Sequence, residues 1–144
     1  MAPSLGGMFT HPVNVRYLEV DGQGVVFNMW YLAYADDAMT GFLAHRGLPY
    51  DQLIAAGLDT QVVSTQLTWT SGVGWGDEVA VAVSVAAWGT TSFTLDFEVR
   101  RAGTPTCWVR TVYVVVATDG SGKRPVPADL RAALGEPAPL LPER

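Results

Sequence analysis

Large and small residues alternate without a break over positions 79–85, where valines at 79, 81, 83 and 85 flank Ala80, Ala82 and Ser84. A period of two is the signature of a strand. Phe93, Leu95, Phe97 and Val99 alternate with Thr94, Asp96 and Glu98, which predicts a second strand with one face in water. Positions 108–118 form a longer valine-rich run that reads as a central strand covered on both sides. Weaker alternation over 13–20 and 61–69 adds two more strands. Gly89 with Thr90, and Gly103 with Pro105, mark hairpin turns between strands. The last four strands follow one another through short loops and are therefore expected to pair mostly antiparallel.

One segment breaks this pattern. Trp30, Tyr34, Ala38 and Phe42 recur every four residues, and Tyr31, Ala35, Met39 and Leu43 fill the adjacent stripe. The spacing predicts a helix over 29–46, capped by Asn28 and stopped by Gly47. Because most of its circumference is apolar, the helix is expected to be buried. Positions 51–56 predict a short helix ended by Gly57, and 128–134 a final helical turn, with 136–144 a loose tail. The order β-α-β-β-β-β implies an α+β fold, a curved antiparallel sheet of about five strands wrapped around one long buried helix. The strand over 79–85 wants more cover than the chain offers. A homo-oligomer, a dimer at least, is the economical answer.

Composition narrows the function classes. The chain has 144 residues, enough for one domain, with 49% hydrophobic and 16% charged residues. A net charge of −5 without basic runs argues against nucleic-acid binding. The single cysteine, Cys107, excludes an intrachain disulfide and any multi-thiolate metal site, and reads as a core filler. His11 and His45 have no evident carboxylate partner at ligand spacing, so no metal is expected. No apolar stretch is long enough to span a bilayer, and the first residues lack the pattern of a signal peptide. The expected location is cytoplasmic.

The stretch VDGQGVVFN carries the chemistry. A strand ends in Asp21, Gly22 and Gly24 make a turn, and the chain then enters the helix. This brings a carboxylate near a helix N-terminus, whose unpaired N–H groups form a ready oxyanion site. Asp21 could equally serve only to open the glycine turn. Asp36 lies seven positions past Met29, so it returns to nearly the same helix face, about 10 Å further along. An acid on an apolar helix needs a partner, either a neighbouring side chain or a polar group on a ligand. Asp37 reads as solvated or structural.

Residues VRYLEVDGQGVVFNMWYLAYADDA, followed in order by GWGDEVAV, WGTTSFTLDFEVRR and GKRPVPADLRAAL, resemble the hotdog-fold acyl-CoA thioesterases of the 4-hydroxybenzoyl-CoA thioesterase type. The resemblance covers about 11–134, leaving 1–10 as an N-terminal segment and 135–144 as a C-terminal tail. It implies the fold read from periodicity, sheets paired into dimers or tetramers, and a thioesterase with Asp21 as nucleophile or general base. It also implies that Asn28 supplies the backbone N–H that holds the thioester oxygen, though many members carry Tyr or His there. The position of Asp36 is, in the 4-hydroxybenzoyl-CoA enzymes, an acid that accepts the substrate's phenol.

Gly24 in the turn and Met29 at the helix start are candidate substrate-binding positions, and Thr68, Trp69 and Ser92 fall on strands that could line an acyl pocket. Arg100 and Arg101 could meet the phosphates of coenzyme A; the other basic pair, Lys123 and Arg124, sits in a turn. The expected substrate is an acyl-CoA or an acyl carrier protein thioester, with coenzyme A as part of the substrate and no separate cofactor. Hotdog dehydratases and hydratases use a histidine paired with an acid, and DGQGVVFN has none. A non-catalytic acyl-binding protein is the alternative of another class.

Overall fold

The computed structural model describes residues 8–141. Five strands, β1 (Thr10–Val13), β2 (Leu58–Trp69), β3 (Val79–Trp88), β4 (Ser92–Arg101) and β5 (Thr104–Ala117), form one curved antiparallel sheet in the order β1-β3-β4-β5-β2. The helices are α1 (Met29–His45), α2 (Tyr50–Ala55) and α3 (Ala128–Leu134). Readings for residues 1–7 and 142–144, including that of a leaderless N-terminus, lie outside the described residues.

Alternation in the sequence becomes alternation of faces. Val79, Val81, Val83 and Val85 on β3, and Phe93, Leu95, Phe97 and Val99 on β4, are buried in the same core as Tyr31, Tyr34, Ala35, Ala38, Met39, Phe42 and Leu43 of α1. The helix stripe read from the sequence is thus the face that meets the core. The expected burial of the helix holds on that face alone, because Met29, Ala33, Asp36 and Asp37 are exposed. At mid-helix, Gly41 admits β1: a Cβ there would stand 2.5 Å from Nδ1 of His11. The same ring donates through Nε2 to Asp37 Oδ2 at 2.9 Å, so His11 has the carboxylate partner the sequence did not reveal.

Three expectations are corrected. The strand over 13–20 exists only as Thr10–Val13, and Tyr17–Glu19 is a 3-10 turn. Its cause is Glu19, whose carboxylate folds back to accept Arg16 N–H and Nε–H, both at 2.9 Å. Asn28 makes no side-chain cap and has helical dihedrals itself (φ −55°, ψ −33°). The tail is docked as far as Leu141: Ala138 N–H donates to Val85 O at 2.8 Å, and Ser84 Oγ donates to Ala138 O at 2.6 Å.

Beyond it, Leu140 and Leu141 N–H donate to Asp96 Oδ2 at 2.9 and 3.3 Å. The wet face expected for β4 is therefore covered at Asp96, which is fully buried and held by Arg110 at 2.7 and 2.8 Å. β1 pairs with β3 only through Ala82, and the tail takes up the β3 edge beyond it. Much of the cover that β3 wants thus comes from its own chain. The exposed edge is β2 instead, with Val62 47% and Val63 58% exposed beside a register shift.

Candidate active site

The turn after the 3-10 segment is built by backbone hydrogen bonds. Asp21 N–H donates to Val25 O at 2.8 Å and Gly24 N–H to Asp21 O at 3.0 Å. Asp21 Oδ1 accepts Gln23 N–H at 2.8 Å, so the turn-opening role is real. It occupies one carboxylate oxygen; among the described residues Oδ2 has no hydrogen-bond partner. Gly24 adopts φ +82° within this turn and is exposed.

Asp21 and Asn28 line one cavity of about 370 Å³, together with Phe27, Tyr31, Trp69 and Gly72. Phe27 N–H is taken by Glu19 O and Trp30 N–H by Phe27 O. Among the described residues, no acceptor takes the N–H of Asn28 or Met29. These are the orphan donors that a helix start leaves by geometry. A half-buried carboxylate and the unclaimed N–H of Asn28 thus border the same space, an arrangement suited to stabilising negative charge beside a nucleophile or base.

The remaining predicted positions separate. Trp69 lines the cavity and meets Tyr31 edge-on, with ring centroids 5.6 Å apart. Thr68, one residue earlier, pairs with Trp108 and turns to the opposite face of the sheet. Ser92 begins β4 and Arg101 ends it, so Ser92 stands about 30 Å along the strand from the cavity end and is not part of this site. Arg100 is engaged with Glu98 at 2.7 Å, whereas Arg101 donates to Gly72 O at 3.0 Å, on the cavity wall. Lys123 and Arg124 lie in the turn after β5 and do not line the cavity.

Met29 and Asp36 line a different cavity, of about 340 Å³, with Leu32, Ala33 and Val62. Asp21 and Asp36 are therefore not brought together within one chain. Partial burial, reinforced by the neighbouring Asp37, pushes the Asp36 carboxyl above its ordinary value. Cys107 is buried, and burial pushes its thiol up to about 12, as befits a core filler.

Sequence reasoning missed the supports of the site. Glu19 is buried and accepts a 2.6 Å hydrogen bond from Tyr34 in addition to those from Arg16. Burial alone raises its pKa, but the hydrogen bonds from Tyr34 and Arg16 outweigh that and hold the carboxyl below its ordinary value. Val73 and Gly74 pack against the Asp21 turn. Val26 N–H donates to Val73 O at 2.8 Å, and a Cβ on Gly74 would sit 2.9 Å from Gly24 O. An acid two residues before Asp21 and a glycine-rich GVGWG were the only signals available. Among the described residues no cluster of His, Cys, Asp or Glu could hold a metal ion, and no helix is long and apolar enough to cross a membrane.

Comparison with known proteins adds to this geometry. A hypothetical protein of Thermus thermophilus is 28% identical in a structural match covering 87% of this chain and 95% of that one, with a TM-score of 0.81. A 1,4-dihydroxy-2-naphthoyl-CoA thioesterase from Synechocystis matches at 23% identity over 89% and 96% of the two chains, TM-score 0.79. A gentisyl-coenzyme A thioesterase matches at 21% identity over 88% and 100%, TM-score 0.81. Their likeness at this identity is one of fold. The model of the thioesterase-like superfamily matches residues 15–134, most of the chain, and the protein belongs to that superfamily.

Proposed function

We propose that the protein hydrolyses acyl-CoA thioesters to free acid and coenzyme A, with α1 as the central helix of a hotdog fold. The observation that carries this reading is that Asp21 shares one cavity with Asn28, whose N–H at the helix start is unclaimed. In this reading the thioester oxygen sits against the helix start, where developing negative charge is stabilised. Asp21 Oδ2 either attacks the carbonyl carbon, releasing thiolate and leaving an anhydride that water cleaves, or takes a proton from an attacking water. A thiolate leaving group has a pKa of about 8.5, so no strong general acid is needed. Coenzyme A enters as part of the substrate, and the free surface of Arg101 beside Gly72 suits it for a phosphate. The cytoplasm is the compartment this reading implies.

The protein acts as a homo-oligomer in this proposal, paired through β2. That edge is open, with Val62 and Val63 exposed, and Val62 borders a cavity with Met29 and Leu32 of α1. Antiparallel pairing sets the Trp69 end of one β2 near the Leu58–Val62 half of the other. The Asp21 cavity of one chain would then meet the Asp36 cavity of its partner, and Asp36 would read a polar group on the acyl chain. Two fold neighbours named as thioesterases of hydroxylated aromatic acyl-CoAs favour such a group here. Thiol release from short, long, phenylacetyl- and hydroxybenzoyl-CoA tests the reading. Turnover of the hydroxybenzoyl ester above the aliphatic ones is expected. Silence toward every CoA ester and toward carrier-bound acyl groups refutes it.

A further inference from the structure

We infer that Tyr31 is a positioning residue, whose hydroxyl fixes the first turn of α1 relative to the Asp21 turn; this rests on the thioesterase reading above. The two halves of the proposed machinery belong to different pieces of backbone. Asp21 stands on a turn whose residues 22–24 are exposed, and the N–H donors stand at the start of α1. Two glycines connect them, so the covalent link alone would leave their separation loose.

Val73 braces both sides. Its carbonyl accepts Val26 N–H at 2.8 Å, at the end of the turn, and its own N–H donates to Tyr31 Oη at 3.0 Å, in the first turn of α1. Val73 is fully buried and Tyr31 only 2% exposed, so no solvent replaces either bond. The loop that carries Val73 is itself held: Thr70 N–H donates to Thr106 O at 2.8 Å, and Gly74 N–H donates to Asp77 Oδ2 at 2.7 Å. Close packing completes the brace. A Cβ on Gly72 would lie 3.2 Å from Val25 Cγ1, and one on Gly74 would lie 2.9 Å from Gly24 O. A phenylalanine at position 31 would keep the edge-on contact with Trp69 and leave the buried Val73 N–H without its acceptor. Oxyanion donors act over a few tenths of an ångström, so a shift of this turn is felt in the transition state more than in binding.

Tyr31→Phe tests this, with Asp21→Asn and the double variant completing the cycle. Expected are a loss of about 10-fold in kcat with KM within about 2-fold, no further loss when Tyr31→Phe is added to Asp21→Asn, and faster hydrogen exchange at the Val73 and Val26 amides. Gly74→Ala, which pushes on Gly24 O from the loop side, is expected to give the same split between kcat and KM. Wild-type kcat in Tyr31→Phe overturns the inference, as does an equal loss with and without Asp21. The two failures are distinguishable. A wild type inert toward all thioesters refutes the proposed function, and exchange then decides the brace: unchanged protection at Val26 in Tyr31→Phe overturns it.

Discussion

Glu19→Gln removes one negative charge and almost no volume from the support beneath the site. The wild-type carboxylate, 4% exposed, accepts three hydrogen bonds: Arg16 N–H at 2.9 Å and Tyr34 Oη–H at 2.6 Å on Oε1, and Arg16 Nε–H at 2.9 Å on Oε2. A glutamine amide can keep its oxygen at the Oε1 position, but its NH2 group then faces the Arg16 donor. One charge-assisted bond, worth about 1.5–3 kcal/mol, becomes a donor–donor contact, and the two others lose their charge assistance. The expected loss is about 3 kcal/mol at pH 7, a fall in Tm of about 10 °C for a domain of this size.

The pH dependence has a fixed sign. The folded-state pKa of Glu19 is held below its ordinary value of 4.5, so its contribution is fully present above that pH. It is lost as pH falls through the folded value. Urea unfolding of wild type and Glu19→Gln at pH 7 and across the acid range below 4.5 measures both quantities. The gap between the two proteins should narrow as pH falls. A difference below about 0.5 kcal/mol at pH 7, the level of an ordinary surface substitution, would refute the reasoning, and so would a gap that does not change with pH.

Asp96→Ala removes the carboxylate on which Arg110 and the amides of Leu140 and Leu141 converge, and is expected to cost about 3–5 kcal/mol. Chemical unfolding measures that loss, and hydrogen exchange at the Leu140 and Leu141 amides should then become faster than in the wild type. Ala102 occupies the left-handed region at φ 47° in the turn between β4 and β5. Ala102→Gly should therefore raise stability by about 0.5 kcal/mol, the relief of a strained L-residue less the added freedom of the unfolded glycine, read as a small rise in Tm.

What the sequence revealed and what it hid divide along physical lines. Periodicity found β3, β4, β5 and the buried stripe of α1 because each has a dry face that repeats over two or more turns or pleats. The segment running on from β1 misled, since Val13, Val15 and Tyr17 alternate with Asn14 and Arg16 while a single buried carboxylate, Glu19, dictates a 3-10 turn. The tail was hidden for a similar reason. Proline-rich and short, it has no period of its own, and it docks through backbone groups that any sequence carries. Asp21, Asn28 and Trp69 border one cavity. Thr68, Ser92 and Arg100 do not, because strand alternation and strand length carry them to another face or another end. The bond between Tyr31 and Val73 left no trace in the sequence, since it joins residues 42 positions apart.

The central claim is that Asp21 performs chemistry beyond opening its turn. Asparagine keeps an oxygen for the Gln23 amide, so Asp21→Asn preserves the turn while removing the free carboxylate oxygen. Steady-state thiol release should then show wild-type KM within about 2-fold and kcat lowered by at least ~10²-fold, with Tm unchanged. Turnover by Asp21→Asn at the wild-type rate would contradict the account and assign Asp21 to the turn alone.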